Sequence, residues 1–232
     1  MNKINYQKEL EKIIASLTEP KKVFLHSCCA PCSSYCMEYL RRYFDVTVFY
    51  YNPNIMHAEE YQKRVTEQKR LIDAYNQNSV MLLGEKGTGS VQADLTSKES
   101  ILRNISFVEG SYDVERYLET IKGLEFCPEG GNRCGKCFEL RLRETVRVAK
   151  ELNMDYFTTT LTISPLKNAQ LINEIGKRIG EEIGIAFLPS DFKKNNGYLR
   201  SIELSKEYNL YRQDYCGCDF SKRKDIDYEK NT

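Results

Sequence analysis

The sequence predicts an α/β fold: a Rossmann-like parallel sheet with helices on both faces and a cysteine-rich site at the carboxyl ends of the strands. Two observations carry this expectation. Short apolar, β-branched runs alternate with amphipathic helical patterns along the chain, the order that builds parallel sheets with crossover helices. Cysteine-, asparagine- and lysine-bearing segments follow several of those runs directly, where open α/β sheets bind ligands.

Residues 1–20 are charged and helical in pattern. Residues 23–27 (VFLHS) read as a short buried strand. They run into CCAPCSSYC, where Ser33 or Ser34 is expected to cap a helix reaching Tyr43. The clearest strand is 45–51 (DVTVFYY), ended by the turn-forming Asn52-Pro53-Asn54. Ala58, Tyr61, Val65, Ile72 and Tyr75 then fall near one helical face.

Residues 76–104 are polar, with Gly84, Gly87 and Gly89 close together, and read as an insertion into one domain spanning 1–232. A third strand is expected at 105–108. Residues 123–135 are loop-like. A helix follows with Phe138, Leu142, Val146 and Ala149 on one face. Residues 156–161 (YFTTTL) form a β-branched strand, with Pro165 suited to the first turn of the next helix. Ile172, Ile175, Ile179 and Ile183 line that helix, Gly184 ends it, 185–188 form a fifth strand, and 198–211 are helical.

Composition narrows the function. Of 232 residues, 34 Lys+Arg balance 33 Asp+Glu for a net charge of +1, which predicts neither a general nucleic-acid binder nor a membrane-surface protein; any basic patch must be local. Residues 1–20 lack a signal-peptide apolar run, and no later run spans a bilayer, so a cytoplasmic protein with no membrane partner is expected. Nine cysteines are many for that compartment, and metal or redox work explains them better than disulfide stapling.

Cys28-Cys29-Ala30-Pro31-Cys32 is the strongest local signal. Pro31 stiffens the loop, and a helix N-terminus favours the thiolate, the metal-binding form. Cys134-Gly135-Lys136-Cys137 is a CxxC at a helix start. The two pairs Cys28/Cys29 and Cys134/Cys137 supply the four thiolates that a cubane iron–sulfur cluster or a tetrahedral zinc requires. The adjacent Cys28-Cys29 tilts the reading toward the cluster, because separate iron corners accept neighbouring thiolates. Cys216-Gly217-Cys218 closes only a small disulfide ring, suited to reversible redox work; the same pair suits a metal chelate with Cys32 equally well. His26 reads as a satisfied core residue, Cys36 as core, and Cys127 as a weaker ligand candidate. Lys193, Lys194, Arg200 and Arg212 are candidates for holding phosphate, with solvated surface charge as the plainer reading. No GxGxxG or Walker pattern occurs.

The segments HSCCAPCSS, YYNPNI, GLEFCPEGGNRCGKCFELRLRET, YFTTTLTISPLKN and FLPSDFKKNNGYLRSIELSKEYNLYRQDYCGC resemble the cobalamin-independent epoxyqueuosine reductase family, QueH, from about residue 23 to 221. That resemblance implies an iron–sulfur oxidoreductase with a 4Fe–4S cluster, reducing epoxyqueuosine to queuosine at the tRNA wobble position. It places the cluster ligands on Cys28, Cys29, Cys134 and Cys137 and a redox-active pair on Cys216 and Cys218. It implies tRNA as substrate partner and an electron donor that the sequence does not identify. A second iron or other Lewis acid near Cys32, Cys216 and Cys218 would polarise the epoxide oxygen, so Cys32 joins the catalytic candidates. Two other readings remain open: an ATP-dependent tRNA-thiolating enzyme, weakened by the missing glycine-rich loop, and a non-catalytic zinc-bound RNA-binding protein.

Overall fold

The computed structural model describes residues 4–84 and 102–222. The expected runs become β1 (Lys21–His26), β2 (Phe44–Tyr50), β3 (Ser106–Glu109), β4 (Tyr156–Thr159) and β5 (Ala186–Phe187). Every pairing is parallel, in the order β3-β2-β1-β4-β5. The order reverses between β1 and β4, where His26 pairs with Thr159. At such a switch point the loops leaving the two strands diverge and open a crevice at their carboxyl ends.

The helices are α1 (Tyr6–Ala15), α2 (Ala30–Leu40), α3 (Ala58–Gly84), α4 (Val114–Thr120), α5 (Asn132–Glu151), α6 (Ala169–Ile183) and α7 (Gly197–Glu207). Alternate strand residues divide the core. Val23, Leu25, Val46 and Val48 bury against α1, α2 and α3. Phe24, Phe49, Phe157 and Phe187 bury against α5 and α6. Each such side chain contributes about 1.5–3 kcal/mol on removal from water, and both faces are covered, as a parallel sheet requires. No helix among the described residues is long and apolar enough to cross a membrane.

Several boundaries differ from the sequence reading. α2 begins at Ala30 after an extended Cys29, with Pro31 in its first turn. Ser33 and Ser34 therefore lie inside the helix and donate back to the carbonyls of Ala30 and Pro31 at 3.1 and 2.9 Å rather than capping it. Pro165 precedes α6, which Asn168 caps by accepting from the Leu171 N–H at 3.2 Å; a short 3₁₀ turn, Thr160–Ile163, fills the space after β4. Gly184 ends α6 with a left-handed φ of 84°. α7 stops at Glu207, because Asn209 turns left-handed and the Leu210 N–H bonds back to the Ser205 carbonyl at 2.8 Å. In the polar stretch 76–104, residues 76–84 continue α3 and 102–104 lead into β3; 85–101 lie outside the described residues. The short helix α4 has no counterpart in the sequence reading. It is capped by Asp113, which accepts from the Arg116 N–H at 3.0 Å, and it packs on α5 through Tyr117 and Ile121.

Candidate functional site

The site grows from the loop that leaves β1 at the switch point. Ser27 is buried, and its hydroxyl donates to Gln68 Oε1 on α3 at 2.7 Å; the Ser33 hydroxyl, shared with the Ala30 carbonyl, lies 2.8 Å from the same oxygen. Asn52, first residue of the turn after β2, donates to the Ser27 carbonyl at 2.8 Å. Thr160, just past β4, accepts from the Cys28 N–H at 3.2 Å and has its hydroxyl 3.4 Å from the Cys28 sulfur. Three neighbouring elements thus fix a loop too short to hold itself.

That loop brings the sulfurs of Cys28, Cys29 and Cys32 within 4.8 Å of one another, a group able to hold a metal ion. Three soft thiolate donors at the positive end of α2 suit iron–sulfur or zinc chemistry. Their protonation is shared. Cys28 is held well below the ordinary thiol range, because hydrogen bonds from Cys29 and Cys32 favour its anion over the opposing effect of burial, and Lys167 and Arg141 add positive charge. Cys29 is pushed up to about 12, first by its hydrogen bond to Cys28. Cys32 is raised for the same first reason. One negative charge is easy in this triad and a second is costly until a cation arrives.

Cys134 and Cys137 sit in the opening turns of α5. The Gly130 N–H donates to the Cys134 sulfur at 3.2 Å. Cys137 is buried and pushed up to about 12 by that burial, with the nearby Arg141 opposing it. Arg141, one turn on and only 1% exposed, donates to His26 Nε2 at 3.2 Å and to Asn52 Oδ1, and lies 4.0 Å from the Cys137 sulfur. His26 is as buried as its sequence context predicted. It lies 2.8 Å from Thr159 Oγ1, and burial, followed by the charge of Arg141, pushes it down to about 3, so it is neutral at pH 7.

The third cysteine segment is clamped from α3 and the β2 turn. Arg64, 2% exposed, pairs with Glu60 at 2.6 Å and donates to the carbonyls of Tyr215 and Cys216 at 3.4 and 3.3 Å. Asn54 also donates to the Cys216 carbonyl, at 3.3 Å. Gly217 carries a left-handed φ of 103°, and a side chain there would meet Ile55 Cγ1 at 2.6 Å, so glycine answers both demands. Tyr117 of α4 donates to the Cys218 sulfur at 2.9 Å, and burial raises that thiol.

Two adjoining clefts expose these groups. One is lined by Cys28, Cys32, Cys216 and Arg212. The other, much smaller, is lined by Cys134, Cys137, Cys216, Cys218 and Tyr117. Cys216 and Lys167 belong to both walls. Burial would lower Lys167, but the charges of Cys216, Cys28 and Cys32 more than offset it and hold the ammonium above the ordinary lysine value.

The other candidates are distributed unevenly. Of the basic four, Arg212 lines the larger cleft. Lys193 pairs with Asp191, and Arg200 pairs with Glu38 at 2.8 Å; Lys194 is exposed, and none of these three lines either cleft. Cys36 is buried in the α2 core. The Cys127 carbonyl is tied to Arg133. Arg64, Tyr117, Arg141 and Lys167 are site residues that sequence reasoning missed. Lys167 and Arg141 stand within the segments SPLKN and CFELRLRET, but a lysine or arginine in a polar segment carries no spacing signal of its own.

The Epoxyqueuosine reductase QueH family model matches residues 23–224. The chain is similar to a Staphylococcus epidermidis protein named Epoxyqueuosine reductase QueH, 41% identical over 98% of this chain and 89% of that one. A Streptococcus pyogenes protein of the same name is 40% identical, over 95% of this chain and 79% of its own. One from Thermotoga maritima is 32% identical, over 86% and 89%.

Proposed function

The chain belongs to the epoxyqueuosine reductase QueH family, and from that premise we propose that it is the oxidoreductase that reduces epoxyqueuosine to queuosine at the tRNA wobble position. The observation that carries the reading is the triad Cys28, Cys29 and Cys32 at the switch point, of which Cys28 and Cys32 line a cleft together with Cys216. The donor set fits a sulfur-ligated iron centre: soft thiols, one already favoured as the anion, among buried or half-buried cations. In this proposal Cys28 and Cys29, with Cys134 and Cys137 from α5, hold a 4Fe–4S cluster. Cys32, Cys216 and Cys218 serve turnover, as a redox pair plus a neighbouring thiol or as ligands of a second iron. When bound, such a cluster would supply electrons singly to the site.

The chain's own residues then have definite tasks. Arg64 and Asn54 hold the Cys216 carbonyl, fixing the CGC loop over the cleft. Tyr117 donates to Cys218 and favours its thiolate against burial. The wobble nucleotide would enter this cleft as an unstacked base, the form in which enzymes reach single nucleotides of RNA. The reading is tested anaerobically with tRNA carrying epoxyqueuosine and a chemical reductant, digesting the RNA and weighing the nucleosides. A nucleoside lighter by one oxygen is expected; unchanged substrate with an iron-loaded enzyme would sink the proposal.

Arg212 is the cation of the basic four that reaches the cleft, and the proposal extends the tRNA contact through Lys193, Lys194 and Arg200. Replacing all four by alanine is expected to weaken tRNA binding and flatten its salt dependence, by about 0.7–0.9 in log–log slope for each phosphate no longer neutralised. Identical affinity and slope would return them to surface charges.

A further inference from the structure

Among the described residues that line both clefts, Lys167 is the only cation; the others are Glu129, Leu166, Cys216 and Ser221. Its backbone N–H is used by the Ser164 carbonyl at 3.3 Å, but among the described residues its ammonium has no hydrogen-bond or ion-pair partner. Two other cations of the site are committed, Arg64 to Glu60 and two carbonyls and Arg141 to His26 and Asn52, while Arg212 lines only the larger cleft. The thiol charges that favour this ammonium leave its hydrogen-bond donors unfilled and available to a ligand. Both clefts it lines are also lined by cysteines, Cys28, Cys32 and Cys216 in one and Cys134, Cys137, Cys216 and Cys218 in the other, the place where a reducible group must come to receive electrons.

Resting on the reductase reading, we propose that Lys167 is a catalytic residue that donates a hydrogen bond to the epoxide oxygen of the substrate and holds the negative charge that develops there. In the reaction both C–O bonds of the epoxide break and a C=C bond forms between the two carbons. The oxygen leaves as one water after two electrons and two protons are taken up. The electrons come from an external one-electron reductant and the protons from solvent through the open cleft. The difficult moment is the first C–O cleavage, when charge gathers on oxygen. A preplaced cation in a partly dry site stabilises that charge without reorganising, which is why such donors act mainly on the rate. Lysine suits the task because its donors rotate to follow a moving oxygen.

The experiment compares wild type, Lys167→Met and Lys167→Arg, each loaded with iron anaerobically, reading iron per chain, tRNA affinity and single-turnover rate with a chemical reductant. Lys167→Met is expected to keep iron and tRNA affinity while its rate falls by about 10²-fold or more, the usual effect of removing one charge-stabilising donor. Lys167→Arg should recover part of that loss. A Lys167→Met enzyme as fast as wild type overturns the assignment while leaving the reductase reading intact. Loss of iron in Lys167→Met overturns it in favour of a structural role at the metal centre, and a rate loss fully accounted for by weaker tRNA binding overturns it in favour of a phosphate contact. If wild type itself does not reduce the substrate, it is the reductase reading that fails.

Discussion

Cys28→Ser and Cys29→Ser proteins, and a Cys134→Ser/Cys137→Ser double variant, should emerge from anaerobic purification with little iron and no reductase activity, whereas Cys32→Ser should keep its cluster and lose turnover. The expectation follows from where the thiols sit. Cys28 and Cys29 lie 3.9 Å apart, sulfur to sulfur, on a loop held by Gln68, Asn52 and Thr160. They are therefore presented in one place before any metal binds. Serine keeps the volume but is a hard, weakly acidic donor, so it cannot replace a thiolate on iron. Circular dichroism should show the fold intact, since the loop's contacts run through backbone and neighbouring side chains rather than the sulfurs. The double variant is the decisive one. Full iron content in it would leave Cys28, Cys29 and Cys32, already within 4.8 Å, as the ligand set and move the CxxC into turnover. Cluster loss in Cys32→Ser would point the same way.

Arg141→Met should lower stability by about 3 kcal/mol, or roughly 6–12 °C in Tm for a chain of this size. Asn52 and His26 are both buried. Removing the guanidinium orphans Asn52 Oδ1, an orphaned buried acceptor costing about 1–3 kcal/mol, and forces His26 to change tautomer and donate to the Tyr51 carbonyl 3.1 Å away. Methionine recovers some packing and relieves the cost of burying a cation, but that relief is complete only when the partners are replaced too. Arg141→Lys should fall between, because one ammonium cannot match a planar fork aimed at two acceptors. The same substitution to methionine removes positive charge that favours the Cys28 anion, so in the apo protein Cys28 should alkylate more slowly near neutral pH. An unchanged melting temperature in Arg141→Met would show that the surroundings relax and that the pairing adds nothing to the fold.

Much of this protein was legible in its sequence because the signals are local. The strands are compact β-branched and aromatic runs, so their existence followed from periodicity, and strand–helix alternation implied a parallel sheet, whereas the strand order came from the tertiary pairing. The three cysteine segments were visible as spacings. Helix boundaries were less so. Pro165 looked like a helix start, but the chain after β4 first makes a 3₁₀ turn that places Thr160 against Cys28, a contact with a residue 132 positions away.

By itself the sequence determined the fold class, the family likeness and the identity of the sulfur-bearing segments, because each rests on residues near one another along the chain. Only the tertiary structure decided which of those sulfurs meet and which cations attend them. Cys32 joins Cys28 and Cys29 because α2 begins at Ala30 and turns the third thiol back over the first two. Arg141 reaches His26 because α5 packs across β1, and Lys167 stands between two clefts because the turn after β4 carries it to the switch point. Charge and burial at a site are sums over neighbours from distant elements, and no pattern within one segment encodes them.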